Sequence, residues 1–541
     1  MVTRLWIPLA ATLLMGSSAY AQAPRATTAP VEVRLRSIND LLSKADYIAG
    51  LIGQQQLFRG FVQQIPIDPQ QGLFGLDTRR PIGLYGDISL DVEQGAGVFL
   101  VPVANLETLM GFLQAQAGLQ IERKGNGIMS IPLPPGGPVE ALYARFIDGY
   151  LYVANHESHL DAKKLIPAKN FFAQDDGAVA SVVIRPDRIP VVMRRELLAK
   201  LDETLQELQR EALTKDNPAE RAGFILGGKS VINLSRTLIE DVKELHLKLF
   251  VDEKRDYISL DLTVVPQPNS PVAKNFASLG QRTSLAYGLT NVRGAVLRGN
   301  VNFALTDDTR KMWDDLINSI MTQALNEVPP QNKAAIEKIL QGILPTLKAA
   351  VADAAITMTA PNARGHYTVL GAVSVKEGKK LEDAIRELVK LYERDTGDTQ
   401  AAKLNFAKVG NFTLHQIDRI LPADAEPYLG TRSLWLATSE DLLVFSVGPD
   451  ASVLRNALSN GPTKSPALSL DVSLVGLARL ANQNATPQQV NAIATQIFGR
   501  VGPVGRDMLR LEVAGGQNLT LRLSVQGGGI RFLAALASAG P

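Results

Sequence analysis

Apolar and polar residues alternate over several long stretches of the chain, and each stretch breaks at a turn. Val242 to Val265 carries Leu245, Leu247 and Leu249 before its break and Ile258, Leu260 and Leu262 after it. Asp507 to Val525 follows the same scheme, with Leu509, Leu511 and Val513, then Leu519, Leu521 and Leu523. A period of two places such residues on one face of a strand, so both stretches predict antiparallel hairpins wetted on one side. Leu142 to Val153 turns at Asp148-Gly149, a strong hairpin signal. Leu434 to Phe445 has the same plan: Leu142 aligns on Leu434, Tyr143 on Trp435, Asp148 on Glu440 and Leu151 on Leu443. Residues 351–375 and 82–103 predict two further hairpins.

Helical periodicity surrounds these hairpins. Helical sequence is predicted before them at 31–65, 190–241, 309–350 and 474–500. The clearest case has Leu198, Leu201, Leu205 and Leu208 recurring at three- and four-residue spacing. Helices are also predicted after them, at 105–118, 156–165, 271–279, 379–395 and 530–536. A unit of two helices, a hairpin and a third helix thus occurs four times, with strand-rich inserts at 119–186 and 403–472. The predicted fold class is α+β: an internally duplicated chain of mainly antiparallel sheets covered by amphipathic helices. The two halves span 31–285 and 290–541.

Composition narrows the setting. The chain has 541 residues, 45% hydrophobic, and no cysteine, which removes disulfides, thiolate metal sites and a cysteine nucleophile. A formal charge of +2 gives no field that would draw nucleic acid. Arg4, the apolar run Leu5 to Met15 and an A-x-A pattern ending at Ala21 predict a signal peptide over 1–21. Residues 22–30 read as a disordered leader. No later stretch is long and apolar enough to predict a transmembrane segment, so the expected product is exported, periplasmic or extracellular.

Candidate chemistry is sparse. Gly223, Gly228, Lys229 and Ser230 match the phosphate-loop pattern, but a proline-started helix precedes them where a strand is required. The expectation is a glycine-containing break between two helices. His156 and His159 would present two imidazoles to a metal if helical, with Glu157 or Asp161 as an oxygen ligand, but the H-E-x-x-H spacing is missing. They read as a solvated helix start. His246, His366 and His415 lie in alternating sequence and read as polar-face strand residues. Asp175-Asp176 and Asp307-Asp308 are carboxylate pairs, the second placed to cap a helix. Ser181, Ser284 and Ser446 lack a nucleophile-elbow context. The sequence singles out no catalytic, cofactor-binding or metal-ligating residue.

Two segments carry a family resemblance: FIDGYLYVAN at 146–155 with its following helix, and VFLVPVANLETLMGFL at 98–113. They resemble a broad group of exported bacterial proteins of unknown function built from repeated strand-pair-plus-helix units. The resemblance implies no catalytic residues and no cofactor. The functional expectation is a non-catalytic binding or scaffold protein of the periplasm or cell envelope, its partner an apolar ligand or an envelope protein. One variant of it is a carrier of a lipid or other apolar ligand; a hydrolase with a site assembled from distant residues stands against it. Export predicts that the N-terminal residue of the protein purified from its own host is Gln22, which intact-mass measurement checks.

Overall fold

The computed structural model describes residues 29–539 except 65–66, 69–71, 88–96, 118–119, 134–139, 174–175, 399–400 and 482–485. The expected signal peptide and most of the leader lie outside these residues. Ala29 and Pro30, the end of the expected leader, are buried: Ala29 O accepts a hydrogen bond from Arg185 Nη1 and Pro30 O one from Arg185 N.

The chain divides into two compact units. Unit 1 takes Met1–Leu197, Leu238–Pro268 and Ser524–Ala539; unit 2 takes Leu198–Thr237, Asn269–Leu523 and Gly540–Pro541. In the first lie β1 (Val31–Leu35), β2 (Ile82–Gly86), β3 (Gly97–Pro102), β4 (Glu122–Arg123) and β5 (Ile128–Pro132). They are followed by β6 (Ala141–Ile147), β7 (Tyr150–Ala154), β8 (Ala180–Ile184), β9 (Val242–Asp252) and β10 (Tyr257–Pro266). The second opens with β11 (Ala295–Ala304), β12 (Val351–Thr359), β13 (Val369–Ser374), β14 (Ala402–Val409) and β15 (Phe412–Ile417). It continues with β16 (Leu434–Thr438), β17 (Leu442–Val447), β18 (Leu468–Ser473), β19 (Met508–Ala514) and β20 (Leu519–Gln526), whose last residues belong to unit 1.

Helices of eight residues or more are α1 (Ile38–Leu51), α2 (Gln55–Val62), α3 (Leu106–Ala117), α4 (Val191–Ala212), α5 (Pro218–Glu240) and α6 (Pro271–Gln281). After them come α7 (Asp307–Glu327), α8 (Lys333–Lys348), α9 (Gly378–Thr396), α10 (Pro487–Phe498) and α11 (Gly527–Ser538).

Every strand pair described in either unit is antiparallel. In unit 1 the order is β10-β9-β8-β1-β2-β3-β7-β6-β5-β4. In unit 2 it is β19-β18-β11-β12-β13-β17-β16-β15-β14. Adding ten to each strand from β9 to β4 converts the first order into the second. The register agrees as well. With Arg36 N to Val179 O and Asn302 N to Ala467 O as corresponding backbone bonds, the pairings carry Leu142 onto Leu434, Tyr143 onto Trp435 and Leu151 onto Leu443. These are the residues that align in the sequence.

Alternation gives each sheet two faces. In unit 1 one face packs Tyr85, Val98, Leu100, Tyr152 and Ala154 against Leu160, Leu165 and Phe171 from the 157–171 segment. Gly83 is required there, because a Cβ would collide with the Phe171 ring. The other face packs Met129, Ile131, Ala144 and Leu151 under Leu109 and Met110 of α3. In unit 2 the first face buries Ala355, Leu370, Leu414, Ala437 and Val444 with Leu454, and the second packs Leu436 under Val389 of α9. Unit 1 also holds a clasp. Asp256, in the β9–β10 turn, accepts Tyr47 Oη of α1 at 2.7 Å and Arg531 Nη2 of α11 at 2.5 Å, while its carbonyl accepts Gly527 N.

Some local expectations change. Residues 31–35 are a strand, because β1 pairs on both sides with β8 and β2. Residues 156–165 form only a 3-10 turn, Glu157–Leu160, since Leu160 must reach the core. Burial separates structural leucines from surface ones. Leu100→Ala, fully buried, is expected to cost about 2–5 kcal/mol, and Leu260→Ala, 39% exposed, well under half of that; urea unfolding midpoints check the contrast.

Candidate functional site

The second face of unit 1 is not covered throughout. The register sets Phe99, Leu84, Val33, Val182, Leu247 and Leu262 side by side across β3, β2, β1, β8, β9 and β10. Leu260 lies on the same face, opposite Leu249. α3 covers this face toward β5, and Ile189 and Met193 pack on Val31 and Ile184. Between those covers Phe99 stays 51% exposed and Leu247 39%. Unit 2 repeats the strip: Ile356, Gly299, Leu470 and Leu511 follow one another across β12, β11, β18 and β19, with Ile356 40% exposed. Phe99 has Gly371 at its corresponding position, and the aromatic ring moves to Phe445 on the neighbouring strand, where it lies over Gly371.

Behind the unit 1 strip, on the opposite face, lies a chain of charges. Buried Glu32 accepts Arg34 Nη2 and Arg185 Nη1, each at 2.6 Å. Arg185 Nε stands 3.7 Å from Glu244, whose other oxygen is 2.8 Å from His246 Nε2. Arg34 also stacks over Phe171 at 4.8 Å. Buried Glu32 and half-buried Glu244, matched by two arginines, keep this interior neutral, which its desolvation demands. Apart from His246, none of these groups stands out in the sequence, because their pairing depends on three strands far apart in the chain.

The residues singled out from sequence mostly find structural work. Gly223, Gly228, Lys229 and Ser230 lie inside α5, not at a break. Leu208 fills the space beside Gly228, and Ser230 Oγ donates to Leu226 O at 2.6 Å. A continuous helix has no free N–H cradle for phosphate. Ser284 Oγ donates to Asp353 Oδ1 at 2.5 Å and accepts Tyr287 N, while Leu285 N donates to Asp353 Oδ2: this is a helix cap without a histidine. Ser473 and Asp507 make the same arrangement with Val475 N and Gly476 N, unforeseen in the sequence. Ser181 is buried on β8, and Ser446 Oγ donates to Val369 O. Asp176 pairs with Lys248 at 2.6 Å, whereas Asp175 lies outside the described residues. Asp307 and Asp308 open α7.

Histidines divide. His156 and His159 are brought together edge to face, ring centres 5.3 Å apart. Burial, and then the charges of His156 and Lys164, hold His159 below the usual imidazole range. Among the described residues no group of three or more His, Asp or Glu forms a metal-binding cluster. His246 is on the polar face as expected. His366 lies in the loop before β13, its N–H bonded to Asn362 Oδ1. His415 departs most: it is fully buried on β15, at the position Met129 holds in unit 1, with Thr438 Oγ1 at 3.1 Å from Nε2 and Asn405 N at 3.3 Å from Nδ1. Neighbouring Leu436 and the cover of α9 turn what reads as a polar-face position into core.

No family model, no curated protein and no solved structure matches the chain.

Burial pushes the His415 pKa down from its ordinary 6.5, with Glu382 opposing and Arg386 adding to the shift. The folded state therefore binds fewer protons than the unfolded one. Stability is full above pH 6.5 and is lost as pH falls through that value toward the lowered one. His415→Met is expected to reduce the drop in unfolding temperature between about pH 7.5 and 5, read by circular dichroism; His159 leaves a residual drop of the same sign.

Proposed function

We propose that this chain is an exported, non-catalytic binding protein of the periplasm or cell envelope, and that the apolar strip of each sheet is the surface that takes the ligand. The ligand is a lipid or another apolar molecule. The observation that carries this reading is the row Phe99, Leu84, Val182, Leu247 and Leu262, large apolar side chains left partly exposed on neighbouring strands. Contiguous apolar surface of this kind commonly marks an interaction site. The structural pairing of the ion network, the Ser–Asp caps and the intact helix at the glycine motif all favour binding over catalysis. The corresponding strip through Ile356, Leu470 and Leu511 supports a chain that arose by duplication and kept the same surface twice.

Native mass spectrometry of the protein from its own host, with lipid extraction, tests this reading. A co-purifying apolar molecule is expected, with roughly tenfold weaker retention in Phe99→Glu/Leu247→Glu, since a buried charge opposes an apolar ligand. An empty protein that also ignores fatty acids and phospholipids added in vitro overturns the reading.

A further inference from the structure

A cleft of about 450 Å³ opens in unit 2 beside β11, lined by Asn291, Arg293, Gly294, Arg298, Asp471 and Met508. Its charge is unbalanced. Three guanidinium groups, Arg293 and Arg298 in the cleft and Arg510 at its edge, face one carboxylate, and that carboxylate, Asp471, already stands 3.7 Å from Arg510 Nε. Among the described residues no carboxylate pairs with Arg293 or Arg298. Arg298 is half-buried; its Nη2 donates to Asn291 Oδ1 at 2.8 Å and to Val292 O, and its Nε is buried without a partner.

The register explains how this arises. Arg298 sits where unit 1 has Glu32, Asn300 where it has Arg34, and Ser473 where it has Arg185. Unit 1 balances its charges with its own side chains. In unit 2 the carboxylate has become a cation and the two cations have become neutral, while Val183, opposite Glu32, has become Asp471, opposite Arg298 and approached by Arg510 as well. A half-buried guanidinium that shares its one nearby carboxylate with another arginine is under-compensated, and its planar fork suits an oxyanion. Asn291 fixes the fork from one side, and the cleft has the volume of a small-molecule site.

We propose that this cleft binds the oxyanion group of a small molecule, a phosphate or a carboxylate, with Arg298 as the principal donor and Arg293 as the rim charge. The proposal does not depend on the apolar strips. Isothermal titration of the full chain at low ionic strength tests it, with inorganic phosphate and acetate as separate probes. Saturable one-to-one binding of either probe is expected, weakening as sodium chloride is added. Binding of phosphate alone marks a tetrahedral ligand group, and binding of acetate alone a carboxylate. Arg298→Gln is expected to weaken the bound probe about tenfold, the loss of one charge-assisted hydrogen bond. Should circular dichroism show that Arg298→Gln does not fold, Arg293→Gln on the exposed rim is read instead, with a weaker affinity expected. Absence of binding by both probes, or an affinity unchanged in the folded variant, overturns the proposal.

Discussion

Strand register is the constraint on which both units depend. In a sheet with two distinct faces, a slip of one residue exchanges every side chain between them. A slip of β1 against β8 would put Glu32 and Arg34 among Val182 and Leu247, and Val33 into the ion network. The cost of burying those charges unpaired holds the register as firmly as the leucines do. The covering helices then follow: α3 sits on the face that carries Leu151, and α9 on the one that carries Leu436.

The same strand order supports two electrostatic solutions. At the centre of unit 1 a salt-bridge chain runs from Arg34 through Glu32, Arg185 and Glu244 to His246. At the corresponding place in unit 2, Asn300 and Asn302 are buried amides: Asn300 Nδ2 donates to Pro466 O, Asn302 Nδ2 donates to Ser465 Oγ, and Asn302 Oδ1 accepts Arg282 Nε at 3.0 Å. Neutral amides satisfy their neighbours without counter-ions. That exchange leaves Arg298 with no carboxylate near it but Asp471, which Arg510 also approaches.

Much of the fold was legible in the chain. The hairpins at 142–153, 242–265, 434–445 and 507–525 were visible because period-two alternation and a turn are local signals, and the Leu142–Leu434 alignment matches the register. β1 and β11 were missed because both are central strands, paired on each side, whose short or mixed patterns resemble neither a wetted strand nor a helix. His415 was misread for a related reason: a strand covered on both faces shows no outward polar side, and only the long-range packing of α9 reveals the cover. The charge network and the Arg298 cleft were out of reach, since each joins residues more than a hundred positions apart.

The Asp256 clasp has a consequence for biogenesis. Most of unit 1 precedes unit 2 in the chain, yet α11, which follows unit 2, supplies Arg531 and Gly527 to its turn. The first unit therefore cannot complete itself until the sequence of unit 2 has been synthesised. Such distant closure is slow, and it keeps the two faces of the first unit open until α11 has docked.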